Sequence, residues 1–411
     1  MLFGALASAL ALASALALAC GGGESGPSRV TVRDSAGIRI VENGSIPSDN
    51  RVWGVTGEPT LEIGALEGDP EYQLFRVTGA HRFDDGRIVV ANSGTHQLRF
   101  YDAAGRHYRS VGGEGDGPGE FQGLRSLEIF TGDLLLTFDQ RQRRMSVFDS
   151  AGRYIRSITP AGHEFYMLLG AFADGSPLLE EFELIMPDEI TDGAQRRPVS
   201  YHLVDVEGAT TATIGPYAGQ EMQVAPRRDM VMINTVPFGR GAFASVVGDR
   251  IVTGTNDAYA LDVYGRGGAL ERIIRLAHEL APVRRGQFEL LRDEALARID
   301  SDQMRQFARE SWDAMPRHET FPAFRSFMAD DSGNLWVRDY LVPDDDRDVW
   351  TVFDAEGTAL GKVETPAGMQ VLEIGEDYVL GVWEDELEVE WLRLHALEKP
   401  GALETVGTDN G

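Results

Sequence analysis

The chain has one cysteine, Cys20, in 411 residues, so no intrachain disulfide can form. Surplus positive charge is missing as well. Lys and Arg number 38 against 65 Asp and Glu, a formal charge of −27. Nucleic acids and anionic lipid surfaces are held by clustered cations, so this balance disfavours both as main partners. There is no Gly-x-Ser-x-Gly elbow, no His-Glu-x-x-His pair and no glycine loop followed by Lys and a helix. Those absences remove the usual sequence marks of a serine hydrolase, a zinc peptidase and a nucleotide-binding loop. Catalytic cysteine chemistry is excluded by the place of Cys20, next to an apolar leader. The eight histidines do not recur at equivalent positions of any pattern. His318, in Met-Pro-Arg-His-Glu, is the one histidine singled out as a candidate.

Long apolar runs are also scarce. Residues 2–19 are uncharged and apolar, and the chain then turns to Cys-Gly-Gly-Gly-Glu-Ser-Gly. That position and polar flank suggest a secretory signal rather than a spanning helix. What remains has the balance of a folded domain, with 43% hydrophobic and 25% charged residues.

The body of the chain repeats one pattern. A β-type run ends at an acidic-glycine turn, a second follows, then a polar loop, a third run, an aspartate-glycine turn and a fourth run. Clear copies begin at Asp84, Thr131 and Asp331, and weaker ones at Ala173, Gly248 and Gly375. The turn glycines Gly86, Gly132, Gly175, Gly248, Gly333 and Gly375 are spaced by 46, 43, 73, 85 and 42 residues. Three of the five intervals match a four-stranded propeller blade, and two carry insertions. The sixth copy stops after its third strand, near Leu397. Residues 60–63 look like an outer strand preceding the first copy. The N-terminal strand is therefore expected to complete the last blade and close the ring, which removes exposed sheet edges. Residues 29–42 read as a further hairpin whose neighbour the pattern leaves open.

Together with Gly-Gly-Glu-Gly-Asp-Gly-Pro-Gly-Glu-Phe at 112–121 and the paired turns Phe-Asp-Ser-Ala-Gly and Phe-Asp-Ala-Glu-Gly, this order resembles the NHL-type six-bladed β-propellers, in particular those of bacterial lipoproteins. The fold class expected is all-β: a six-bladed β-propeller with an N-terminal strand closing the last blade and a helical insertion on the loop-rich face. The run Ala17-Leu18-Ala19-Cys20 resembles a lipoprotein signal, which implies a lipidated Cys20. The expected organisation is a signal peptide over 1–19, a lipidated cysteine and flexible tether over 20–28, a propeller over 29–400 and a disordered tail over 401–411. An exported, lipid-anchored monomer follows, and Gly21 leans towards the outer membrane.

The long segments are 112–121, 183–198, 216–240, 281–322 and 340–347. All fall between second and third strands or between one blade and the next. Strand direction alternates, so these connections share one face of the disc and the short turns share the other. Loops on a rigid scaffold carry binding, which makes this the candidate functional face. Within 281–322, Phe288, Leu291, Ala295 and Ile299, then Met304, Phe307, Ala308, Ser311, Trp312 and Met315, recur at helical spacing. Pro282 is placed to open the first helix, Ser301-Asp302 to divide the pair and Pro316 to end it. Such a pair serves either as a lid or as cover for a blade.

Second strands end on Asn92, Asp139, Asn256 and Asp339, with Glu181 and Glu384 in looser register. Six-bladed lactonases of the regucalcin type have a similar set, and the resemblance implies Ca²⁺ or Mg²⁺ as an alternative to no cofactor. Equally, such side chains cap turns through backbone amides. Asp344, Asp345, Asp346 and Asp348 form an acidic loop that reads as solvated surface. Asn92, Asp139, Asn256, Asp339, His318 and Trp312 are the candidate binding-face residues. The function expected is a non-catalytic binding or scaffold module for a peptide, glycan or envelope protein. A metal-dependent lactonase, esterase or lyase is the alternative.

Overall fold

The computed structural model describes residues 30–47, 49–182, 190–227, 230–340 and 347–399. The leader, Cys20, its tether, the tail over 401–411 and Asp344 to Asp346 lie outside these residues.

The described chain is a β-propeller built from six sheets. The first blade pairs Val77–Arg82, Ile88–Asn92, Gln97–Tyr101 and His107–Gly112 in sequence order. The second pairs Leu124–Phe130, Leu134–Asp139, Arg144–Phe148 and Tyr154–Ile158. The third begins with Tyr166–Ala171 and Pro177–Phe182, the fourth with Ala242–Val247 and Arg250–Thr255. The fifth runs Phe324–Ala329, Leu335–Asp339, Asp348–Phe353 and Ala359–Thr365. The sixth takes three strands from the C-terminal part: Met369–Ile374, Tyr378–Glu384 and Glu390–Glu398.

Innermost strands pack in a ring. A Cβ on Gly79 would lie 2.9 Å from Leu127 Cβ, and one on Gly170 would lie 3.1 Å from Val246 Cγ2. The missing side chain lets the first blade lie this close to the second, and at Gly170 it spares the third and fourth a tight contact. Thr131 N donates to Ala173 O at 3.2 Å between the second and third blades. Phe243 meets Phe324 edge-on at 5.8 Å between the fourth and fifth. Asp331 N reaches Ile374 O at 3.0 Å, and Arg82 N reaches Glu373 Oε2 at 2.9 Å, joining fifth to sixth and sixth to first. The core sits between neighbouring sheets. Leu98, Phe100, Leu135 and Phe148, for example, are fully buried between the first and second blades.

The repeated turn chemistry is visible atom by atom. Asp102 Oδ1 accepts from Ala104 N at 3.0 Å and Arg106 N at 2.9 Å. Asp149, Asp205, Asp354 and Asp385 repeat this pair of bonds in later blades. Backbone bonds from Arg106 hold the Asp102 carboxyl below the usual carboxylate range. Of the six glycines that set the repeat, five have left-handed backbones, from Gly86 to Gly333. Gly375 does not.

The ring closes as the pattern predicts. Leu61–Ile63 pairs antiparallel with Glu390–Glu398, Ile63 opposite Leu392, and supplies the fourth strand of the sixth blade. The N-terminal hairpin also finds its place. Thr31–Ser35 pairs with Ile38–Asn43, and the latter runs parallel to Leu270–Leu276, the outer strand of the fourth blade. Asn43 then links two blades. Its Nδ2 donates to Arg275 O at 3.1 Å and Gly357 O at 3.0 Å, and its Oδ1 accepts from Ala359 N at 2.8 Å. Further on, Arg51 bridges to Lys362 in the fifth blade.

Two expected loops are strands instead. Residues 193–198 belong to Gly193–Val204, and most of 216–240 belongs to Thr210–Arg227 and Met230–Thr235. The third blade extends into a long hairpin with Gly193 opposite Val224. Pro198 sits at a register shift, where a strand tolerates proline. The helical insertion forms α1, Gln287–Ala297, and α2, Asp302–Asp313, between the fourth and fifth blades. Ser301 Oγ caps α2 by accepting from Met304 N. Pro282 does not open α1. It lies in a bridge to Thr320, and Gly286 precedes the helix.

The closing strand generates a prediction. Ile63 is 2% exposed against Leu380, Val382 and Leu392. Ile63→Ala should lower unfolding free energy by about 2–5 kcal/mol in a denaturant titration. Glu62→Ala breaks only an exposed pair with Arg393 and should cost under about 1 kcal/mol.

Candidate functional site

Strand-end polar residues do not converge on one centre. Asn92 Oδ1 accepts from Phe75 N at 2.8 Å, and its Nδ2 donates to Thr95 Oγ1 at 2.8 Å. Asp139 accepts from three backbone amides: Gln122 at 2.6 Å, Gly123 at 3.0 Å and Gln142 at 2.8 Å. Asn256 accepts from Gly241 N at 2.8 Å and donates to Phe324 O at 3.1 Å. These three are buried. Each ties its own strand end to the loop that enters an inner strand. Asp339 pairs with Lys362 Nζ and accepts from Thr351 Oγ1 at 2.9 Å. The oxygens that suggested a divalent ion therefore already have partners in four separate blades. Glu384 stands opposite Glu390 on the sixth blade. Asp348, the described member of the acidic loop, is buried and paired with Arg338.

Loop-rich connections instead frame two recesses. The first, of about 690 Å³, lies between the helical insertion and the inner strands of the fourth and fifth blades. Leu291 and Ala295 of α1 and Trp312 of α2 form one side, and Val236, Pro237 and Phe238 the other. Phe243, Asn256, Arg325 and Tyr340 close the bottom. Trp312 leans edge-on against Phe288 at 5.5 Å, and Tyr340 stacks on Phe321 at 5.6 Å. Buried Arg240 fastens this wall. Its guanidinium donates to Phe238 O at 3.0 Å and to Thr320 Oγ1 at 2.9 Å. Burial pulls the Arg240 pKa down, and the nearby Asp257 and Glu221 oppose that shift. Glu221 accepts from Arg240 N at 3.2 Å and meets His318 Nε2 at 2.9 Å. His318 is thus a strut between insertion and third blade, while Trp312 faces the recess. Asn234 Nδ2 to Ser311 Oγ at 3.3 Å adds a second tie to α2.

The second recess, of about 770 Å³, lies where the inner strands of four adjacent blades begin. Thr78, Ser126, Leu168 and Gln370 come from those strands, and Arg76, His96, Gln122, Gln140 and Arg141 come from the loops.

Arginines of the short turns and arginines of the recesses differ in their partners. On the short turns it is paired: Arg87 with Asp85, Arg106 with Asp102, Arg153 with Asp149 and Arg266 with Asp174. Arg76, Arg125 and Arg141 of one recess and Arg298 and Arg325 of the other are exposed. Among the described residues none of these five makes an ion pair or a side-chain hydrogen bond; Arg76 lies over the Phe75 ring at 5.1 Å. No sequence pattern marked them, because an arginine that lacks a partner differs from a paired one only in three dimensions.

A second missed feature is a convergence of histidines. His163, before the inner strand of the third blade, and His202, on Gly193–Val204, both approach Glu181. Burial, then the neighbouring His163 ring, holds His202 below the ordinary imidazole pKa. The histidines do not recur at equivalent positions, so no repeat points to this group. Here a connection and two strands of a single blade bring them together.

No protein-family model matches the chain, and no curated protein matches it by sequence. Among solved structures it is similar to a protein described as exported from Bacteroides fragilis, at 10% identity and TM-score 0.47, over 88% of this chain and 99% of that one. A DUF4221-family protein from Bacteroides vulgatus is similar at 10% identity and TM-score 0.48, over 86% and 100%. Virginiamycin B lyase from Staphylococcus aureus is similar at 8% identity and TM-score 0.36, over 78% and 94%.

Asp139 tests capping directly. Asp139→Ala leaves three backbone amides without their acceptor and should cost about 1–3 kcal/mol in thermal or denaturant unfolding. Asp139→Asn keeps an acceptor oxygen and should lose less.

Proposed function

We propose that this protein is an exported, lipid-anchored propeller that captures an acidic glycan or peptide of the cell envelope on its loop-rich face, without catalysis. The observation that carries this reading is the set of exposed arginines lining the two recesses, in a chain of net charge −27. On the short turns the acid excess supplies Arg87, Arg106, Arg153 and Arg266 with carboxylates. At the recesses the guanidinium forks stay free for a carboxylate, sulfate or phosphate, which arginine holds in two-point fashion. Aromatic faces at Trp312, Tyr340 and Phe243 suit the apolar faces of a sugar ring or side chain. The helical insertion then acts as a wall of the binding cleft. The turn-capping roles of Asn92, Asp139 and Asn256 favour binding over a metal-dependent lactonase.

A panel of anionic and neutral glycans and peptides, measured by biolayer interferometry, tests the reading. Anionic members should bind in a salt-sensitive way. Arg325→Ala and Arg141→Ala should each weaken binding at least about tenfold, the loss typical of one charged hydrogen-bonded contact, with unchanged melting. Equal binding of neutral members, or unchanged binding by both variants, would sink it.

Anchoring rests on Cys20 and its flanks. No helix among the described residues is long and apolar enough to cross a membrane. Intact-mass analysis should find acyl chains on Cys20 as the new N-terminus, and Cys20→Ser should release the protein from membranes. An unmodified, freely soluble wild type would refute anchoring.

A further inference from the structure

We infer that His163, Glu181 and His202 form a binding site for one zinc-class divalent ion in the third blade. Among the described residues this is the one group of three or more His, Cys, Asp or Glu whose ligand atoms all lie within 4.8 Å of one another. His163 Nδ1 lies 3.1 Å from Glu181 Oε1, and His202 Nε2 lies 3.0 Å from Glu181 Oε2. Neither nitrogen meets the carboxylate in hydrogen-bond alignment, so both are buried polar atoms without a bonded partner. Such atoms are rare in folded proteins and call for an explanation. A bound cation supplies one. Bonds of about 2.0–2.2 Å to a tetrahedral zinc set ligand atoms roughly 3.3–3.6 Å apart, a separation inside the 4.8 Å that holds these three groups, so the side chains close on the ion by local adjustment.

The outward nitrogens strengthen the assignment. His163 Nε2 lies 2.7 Å from Thr210 Oγ1, and His202 Nδ1 lies 3.0 Å from Thr213 Oγ1. Each threonine hydroxyl can accept the ring N–H, which leaves a lone pair on the nitrogen that faces Glu181. Metal-binding histidines are commonly oriented in this way by a partner on the second nitrogen. Both threonines lie on the fourth strand of the same blade, Thr210–Arg227, so a rigid sheet holds the rings in place.

Ligand chemistry selects the ion. Two imidazoles and one carboxylate suit zinc and its first-row neighbours, whereas Ca²⁺ and Mg²⁺ prefer all-oxygen sets. Three protein ligands leave a fourth position open, as in sites that keep a water. The Glu181 side chain is 33% exposed while the two histidines are 8% and 10% exposed, so that position faces solvent on the carboxylate side. His163 lies on the connection from the second blade, and the other two ligands lie on the third. The ion therefore clamps that connection to the blade it enters.

The test uses untagged full-length protein, stripped with chelator and titrated with Zn²⁺ against a competing indicator. One ion per chain should bind with sub-micromolar affinity, and Ca²⁺ should not compete. His163→Ala and His202→Ala should each weaken binding by about 100-fold or more, since each removes a direct ligand. Thr213→Val should weaken it by about 10- to 100-fold through ring orientation alone. Circular dichroism of the stripped proteins checks that the propeller is intact. If a histidine variant does not fold, Thr213→Val and Glu181→Gln decide. Less than one ion per chain in the wild type would overturn the inference, as would wild-type affinity in Glu181→Gln and Thr213→Val or equal competition by Ca²⁺.

Discussion

Everything in this structure depends on closing a ring whose last sheet is one strand short. A propeller blade left at three strands would show an open row of amides and carbonyls to solvent. Leu61–Ile63 covers that row on the sixth blade, and its one fully inward side chain, Ile63, fills the gap over Leu380 and Leu392. The same segment reaches further than closure requires. From Ile38 onward it runs along the outer strand of the fourth blade, ties fourth to fifth through Asn43, bridges the fifth at Arg51 and ends on the sixth. The N-terminal part is therefore a belt over three successive blades.

Closure commits many polar residues to structure. Inner strands must be entered from loops, and each entry leaves backbone amides to satisfy. Asn92, Asp139 and Asn256 do this at equivalent places in three blades, and Asp102, Asp149, Asp205 and Asp354 do it on the opposite side. A set of repeated carboxylates and amides looks like a ligand set in one dimension. In this ring the repetition reflects the repetition of a backbone problem. Residues free to bind something are those that cap no turn: the arginines of the recesses, the aromatic groups around the helical insertion, and the two histidines beside Glu181.

The helical insertion owes its place to the elongated third blade. Strands Gly193–Val204 and Thr210–Arg227 rise beyond their neighbours. Their tip then gives α2 and the segment around Thr320 something to lean on, through Asn234, Arg240 and the Glu221–His318 contact. Phe238, Phe288, Met315 and Phe321 form a small apolar core of their own between these parts. Two insertions far apart in sequence thus become one wall of a single cleft.

The sequence by itself determined the repeat, the strand-turn rhythm, closure by residues 60–63 and the two helices with the Ser301 break. These follow from local signals: period-two apolar runs, glycine in left-handed turns, aspartate caps and a helical stripe. Tertiary structure decided the rest. Most of 216–240 became strands because an extended hairpin supplied partners. The hairpin of Thr31–Asn43 found the fourth blade because only the folded ring offers an open outer strand there. Asp139 became a cap and Glu181 a neighbour of two imidazoles although both end second strands, because their surroundings come from other parts of the chain. Local pattern depends on neighbours along the chain, whereas the chemistry of a site depends on which distant side chains the fold brings within a few ångströms.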